Sequence, residues 1–317
     1  MDNEMGRLII VPQYPTKLRY QEWWHTEFVH QFGNYFDEVI CLDEGLSFIQ
    51  KYEKRDSIQF APLKHAIDFE CMQIEQYMDL ELYGDDILLL CDLSFPGFFT
   101  QALYHKRPKK CFAICHATSL NSYDIFYRDR KTKSKVEKAT AELFNKVFVA
   151  TEYHAKKLNW KNVMVQALPM PPMKGKNNSF PSIPIISVAR NTIQKRSMNI
   201  ELEVKRAFNC QIYNKTNYSS WDEYYETLAN SKVLLITSKE ETYGYQIVDA
   251  ILNGCIPVAP NHFSYPELIP KDYLYNNIGE LITILIKALG DQLPVPRLLT
   301  ERNAWNFYRV LSETMKR

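Results

Sequence analysis

Hydrophobic residues in this chain gather in short runs of three to five, separated by stretches where apolar positions recur every three or four residues. The runs at 8–11, 39–42, 87–90, 111–115 and 146–150 each read as a buried strand, and a helix is predicted over 20–32. A second series follows at 183–189, 211–213, 232–236 and 256–259, again with helical patterns between the runs. Alternation of this kind predicts parallel sheets covered by helices, the α/β class, because parallel strands need a crossover and are buried on both faces. Residues 167–179 are rich in proline and polar side chains, so the domain boundary is placed near residue 174, giving domains 1–174 and 175–300. Residues 301–317 close the chain with an amphipathic helix expected to carry Trp305, Tyr308 and Leu311 on one face. There is no internal repeat or low-complexity tract.

A chain of 317 residues exceeds the usual size of one core, which agrees with two domains. The net charge of +1 hides an asymmetry: residues 104–161 hold 14 Lys or Arg against 5 Asp or Glu, and the remainder is acidic. Seven cysteines without close pairing point to a reducing compartment. The spacing of Cys111, Cys115 and His116 fits neither a zinc knuckle nor haem attachment, so no metal is expected. The amino terminus is too poor in apolar residues for a secretory signal, and no run approaches the roughly 20 needed to span a bilayer. A soluble, cytoplasmic protein is the expectation.

The richest chemistry lies after the 232–236 strand. Ser238, Glu241, Thr242, Tyr243, Gly244 and Tyr245 form a polar turn entering a helix that carries Asp249, eight positions beyond Glu241. Gly254, Pro257 and the pair Pro266-Glu267 follow. Such a turn falls at the carboxyl edge of a doubly wound sheet, where ligands bind. Upstream, Arg190 directly follows a strand and Lys195 stands five positions later, two cations beside a helix start that suit a diphosphate. The acid-seven-acid spacing resembles the signature of the retaining, family-four type glycosyltransferases of GT-B fold. The Arg190 and Lys195 pair resembles that family's Gly-Arg-x-x-x-x-Lys-Gly element, with Ala189 and Arg196 in place of the glycines. The family's second acid is usually Glu, so Asp249 shortens that arm by one methylene.

The resemblance implies two doubly wound, Rossmann-like domains facing a central cleft, with the terminal helix returning to the first. It also implies transfer of a sugar from a nucleotide sugar, a UDP-sugar above all, to an acceptor hydroxyl with retention of configuration. Arg190 and Lys195 would stabilise the departing diphosphate, Glu241 would orient the sugar, and the backbone after Gly244 would hold phosphate. Asp249 would bind the ribose, and the base would lie near residues 213–218. The absence of an Asp-x-Asp motif fits a site that needs no metal or other cofactor.

In the first domain, the loop starting at His116 resembles the family's His-Gly-Thr-Asp type loop; His116 either bonds a sugar or acceptor group or is structural. Asp92 either contacts the acceptor or caps the next helix. Lys17, Arg19, Tyr20 and Trp23 mix cations with rings, and Arg128, Arg130 and Lys131 open a basic run. A positive groove with stackable rings suits nucleic acid, although Trp23 and Trp24 equally suit a core and lysine runs a solvated surface. Three readings stand: an enzyme acting on hydroxymethylated pyrimidines in duplex DNA, an envelope glycosyltransferase docked on anionic membrane, and a non-catalytic relative. Residues 128–138 are almost bare of apolar side chains, unlike a membrane-binding helix, which favours DNA.

Overall fold

Short aliphatic runs become strands because side chains that alternate across a pleat can all be buried when helices cover both faces. A computed structural model describes residues 6–43, 63–123, 126–172, 175–176, 178–189, 195–215 and 217–317. It divides into two compact units, one of residues 1–150, 154–169 and 305–317, the other of residues 151–153 and 170–304.

The first unit is built on β1 (Arg7–Val11), β2 (Glu38–Cys41), β3 (Ile87–Leu90), β4 (Lys110–Ile114), β5 (Lys146–Val149) and β6 (Val163–Val165). They form one six-stranded sheet in the order β2-β1-β3-β4-β5-β6, every pair parallel. The crossovers carry α1 (Tyr20–Phe32), α2 (Leu63–Asp79), α3 (Arg130–Ala141) and α4 (Glu152–Leu158), whose first two residues group with the second unit. Ile9, Val11, Leu88, Leu90, Ala113, Val147 and Val149 pack on one face with Tyr77 of α2 and Phe99. Their sequence neighbours Leu8, Ile10, Leu89, Phe112, Ile114 and Phe148 are also buried, so the sheet is covered on both sides.

The second unit holds β7 (Ile183–Ser187), β8 (Tyr213–Asn214), β9 (Ser231–Leu235), β10 (Ile256–Pro260) and β11 (Leu274–Tyr275) in the order β11-β10-β9-β7-β8, again all parallel. Its helices are α5 (Met198–Phe208), α6 (Trp221–Ala229), α7 (Tyr245–Leu252), α8 (Tyr265–Leu268) and α9 (Ile278–Leu289), followed by α10 (Glu301–Trp305). The chain leaves β7 toward β8 on one side and returns to β9 on the other. The carboxyl ends of β7 and β9 therefore flank the switch point where doubly wound sheets bind ligands. Among the described residues no helix is long and apolar enough to cross a membrane.

Two expectations need correction, and two short strands were not foreseen. Strands β6 and β11, three and two residues long, carry too little periodicity to be read from sequence. The strand expected at 211–213 is reduced to Tyr213–Asn214, where pairing with Ile186 and Ser187 fixes it. The terminal helix is broken at Asn306, whose backbone (φ −88°, ψ 6°) leaves the helical region, and α11 (Phe307–Lys316) restarts with a new phase. Phe307, Leu311 and Met315 are then buried, Tyr308 is half-buried, and Trp305 is 64% exposed. α11 belongs to the first unit, where the Phe307 and Tyr308 rings lie 5.6 and 5.8 Å from Phe28 of α1.

Candidate active site

Both loops that meet at the second unit's switch point carry charged side chains. The loop after β7 contains residues 190–194, so Arg190 lies outside the described residues; Lys195 follows at its end. Lys195 Nζ donates to Glu241 Oε2 at 2.7 Å and lies 3.5 Å from the Glu240 carbonyl oxygen. The side chains of this pair are 16% and 14% exposed. Two cross-links hold the loops in this register: Ser197 N–H donates to Thr237 Oγ1 (2.9 Å), and the Ser238 hydroxyl donates to the Lys195 carbonyl (3.4 Å).

The turn between β9 and α7 is pinned along its length. Glu241 Oε1 accepts the Thr242 amide at 3.2 Å, the Thr242 carbonyl accepts the Thr151 hydroxyl at 2.8 Å, and the Tyr243 carbonyl accepts Ser264 Oγ at 2.7 Å. Gly244 caps α7 with φ 107°, a conformation side chains rarely adopt, and a Cβ there would sit 3.1 Å from the Tyr265 ring. The positive end of the α7 dipole starts at Tyr245, beside Glu241 and Lys195. A cation, a carboxylate and a helix amino terminus thus converge on one edge, a set able to hold an anion together with neighbouring hydroxyls.

Asp249 lies on the first turns of α7 and is buried. Its oxygens accept the hydroxyls of Tyr224 (3.1 Å) and Tyr225 (3.2 Å) from α6. Burial pushes its carboxyl up to about 7, and the two hydroxyl donors partly oppose that rise. Sequence reasoning missed this tyrosine pair, because tyrosines on an amphipathic helix look like ordinary packing residues; Tyr225 also stacks on Trp221, with centroids 5.9 Å apart. Glu267 was part of the motif without a role. It accepts the Glu152 and Tyr153 amides, each at 2.7 Å, within the same unit.

In the first unit, Asp92 lies two residues beyond β3 and Gln13 two beyond β1, at that sheet's own switch point. Asp92 is buried, accepts the Ser94 amide (3.0 Å) and hydroxyl (2.9 Å), and also takes a bond from Gln13 Nε2. Burial pushes its carboxyl up to about 7, against opposing bonds from Ser94 and the His116 amide. His116 is half-buried, its ring 4.2 Å from that of Tyr20 and 6.2 Å from that of Trp24. Beyond it, Thr118 Oγ1 and the Ser119 amide and hydroxyl all donate to Glu137 of α3, at 2.9, 2.9 and 3.0 Å.

The remaining first-unit candidates differ in setting. Lys17, Arg128 and Lys131 are exposed, Arg19 and Tyr20 are half-buried, and Arg130 lies over the Tyr127 ring at 4.2 Å. Trp23 is only 6% exposed and packs edge-on against Trp24 at 6.3 Å, so its ring is part of the interior.

No family model matches the chain. A tRNA-queuosine alpha-mannosyltransferase of Drosophila melanogaster is 38% identical over 81 residues, which are 26% of this chain and 20% of that protein. The chain thus matches about a fifth of its curated relative's length. Among solved structures, HepE from Anabaena in complex with UDP and glucose superposes with a TM-score of 0.64 at 11% identity, over 98% of this chain and 97% of that one. Sucrose-phosphate synthase from Thermosynechococcus elongatus gives 0.63 at 11% identity, over 98% and 96%. At that identity the likeness speaks for architecture: the chain has a GT-B type fold, made of two parallel-sheet α/β units.

Proposed function

We propose that this chain is a glycosyltransferase that moves a sugar from a nucleotide-sugar donor to a hydroxyl on nucleic acid, with retention of configuration. The observation that carries the reading is the Lys195 and Glu241 pair, 2.7 Å apart at the switch point beside the start of α7. As the bond from the anomeric carbon to the phosphate oxygen breaks, its electron pair goes to the diphosphate. Lys195, together with Arg190, stabilises that growing charge by pre-organised electrostatics. The acceptor oxygen attacks from the same face, and its proton passes to the departing phosphate. Glu241 orients the sugar hydroxyls, while Ser238, Thr242, Tyr243, Gly244 and Tyr245 shape the turn around them. Asp249 fixes the ribose side through Tyr224 and Tyr225. A UDP-sugar is the donor we assign, supported by the UDP and glucose of the HepE structure. No cofactor is assigned, since the cations take the part of a divalent ion.

For the acceptor, the basic run at Arg128, Arg130 and Lys131 beside Tyr127 supports nucleic acid, with a hydroxymethylated pyrimidine of duplex DNA as the sequence-based reading. A specific observation favours a second reading, queuosine in tRNA: the 38% identity over 81 residues with a protein named for that substrate. We place the protein in the cytoplasm, which fits seven cysteines that are all free. The test is incubation with labelled nucleotide sugars and, in separate arms, hydroxymethylated duplex DNA, bulk tRNA and anionic lipid. Label in DNA or tRNA selects between the two readings; label only in lipid rejects both and leaves the membrane alternative. Lys195→Ala and Glu241→Ala should each lower kcat by about 10²–10³ without unfolding the chain, and wild-type rates in both would reject the donor site.

A further inference from the structure

A second group of chemistry-bearing side chains lies in the first unit. His25 is on α1, Cys41 is the last residue of β2, and Asp43 stands two residues beyond it. One imidazole nitrogen, the Cys41 sulfur and one Asp43 carboxylate oxygen all lie within 4.8 Å of one another. His25 Nε2 is 3.0 Å from Asp43 Oδ2, with side chains 15% and 38% exposed. The framework around them is fixed. Cys41 pairs with Ile10 in the sheet, the Leu42 amide donates to the Ile10 carbonyl at 3.0 Å, and buried Trp24 and Phe28 anchor α1 on either side of His25.

From this geometry we propose that His25, Cys41 and Asp43 form a three-ligand site for Zn²⁺, with the fourth tetrahedral position left to water or a small ligand. Imidazole, thiolate and carboxylate are all zinc ligands, and bond lengths of about 2.0–2.3 Å place tetrahedral donors roughly 3.5 Å apart. The three donor atoms need to move by only about an ångström to reach that spacing. Calcium and magnesium want a shell of oxygens, which one carboxylate and a sulfur do not supply. The charges also balance: a neutral imidazole, a thiolate and a carboxylate sum to −2 against the ion's +2. Binding replaces the thiol proton, which leaves to solvent, so one proton is released per ion. His25 also forms part of the wall of a small cavity with Gln13, Gln21, Trp24 and Cys91, at the carboxyl ends of β1 and β3. The site stands apart in sequence and unit from Lys195 and Glu241, so it holds whether or not the donor reading does.

The experiment is titration of the full chain, stripped with chelator, with Zn²⁺ and with Co²⁺. The expected result is saturable uptake of one ion per chain and, with Co²⁺, a near-ultraviolet thiolate charge-transfer band that Zn²⁺ displaces. Cys41→Ser should abolish the band, and His25→Gln and Asp43→Asn should each weaken uptake at least 10-fold, since even removing a hydrogen-bond partner behind a metal ligand costs about 10–100-fold. Cys71→Ser, at an exposed cysteine, should leave both unchanged. Circular dichroism checks that each variant is folded. Absence of saturable uptake by the wild type overturns the proposal, as does a band that survives Cys41→Ser or wild-type affinity in Asp43→Asn, at a partly exposed position.

Discussion

Asp249 is held by two tyrosine hydroxyls and largely shielded from water, so its protonation is tied to folding. An unfolded Asp titrates near 3.9, whereas burial pushes this one up to about 7. Between those values the folded chain binds the extra proton. The group's contribution to stability is therefore present at low pH, falls as pH rises through about 4 to 7, and is gone above. Asp249→Asn keeps a neutral side chain at all pH. The melting temperature of the variant minus that of the wild type should rise from about pH 5 to about pH 8, and a difference that does not change with pH would reject the account. Asp92, buried in the same way, should behave alike in Asp92→Asn. At this scale the sequence shows chemistry but not partners. Lys195 and Glu241 stand out because charges at strand ends are noticeable, yet nothing along the chain announces that Asp249 meets residues 24 and 25 positions upstream.

Helix α3 shows how one element serves a loop. Its solvent side carries the exposed Lys131, Lys135 and Lys138, while Glu137 turns inward and gathers three donors from the loop beyond His116. Hydrogen bonds to a charged group contribute about 1.5–3 kcal/mol, and stranded donors add to the cost of losing them. Glu137→Ala should destabilise the chain by about 3 kcal/mol, with Glu137→Gln recovering part of it, as read by denaturant unfolding. If Glu137→Ala unfolds like the wild type, the loop does not depend on that carboxylate. Gly244→Ala tests the start of α7. Its positive φ and the 3.1 Å approach to Tyr265 predict a loss of about 1–3 kcal/mol. Elements were legible where a run was long enough to show its period. Strands β6 and β11 stayed hidden because two or three residues sample less than two pleats, and the restart of α11 at Asn306 because no proline or glycine marks it.

On the scale of the whole molecule, the alternation of runs and periodic stretches was enough to give the α/β class, since parallel strands leave few other ways to bury both faces. The uneven charge makes its own prediction. If nucleic acid is the acceptor, replacing exposed Arg128 and Lys131 with Glu should weaken binding and reduce the slope of log K against log salt by about 2, the effect of two lost phosphate contacts. An unchanged slope, measured by fluorescence anisotropy, would remove that surface from consideration. Another result follows from how the backbone is threaded. The strands of the first unit end near residue 165, yet the buried Phe307, Leu311 and Met315, the first of them against Phe28, belong to the same unit although the second unit's residues lie between in the chain. An early fragment stopping at Pro169 is therefore short of three apolar anchors, each contributing about 1.5–3 kcal/mol. Cleaving the intact chain once after Pro169 should yield two pieces that co-elute until denaturant is added, because the later piece keeps its tail plugged into the earlier one.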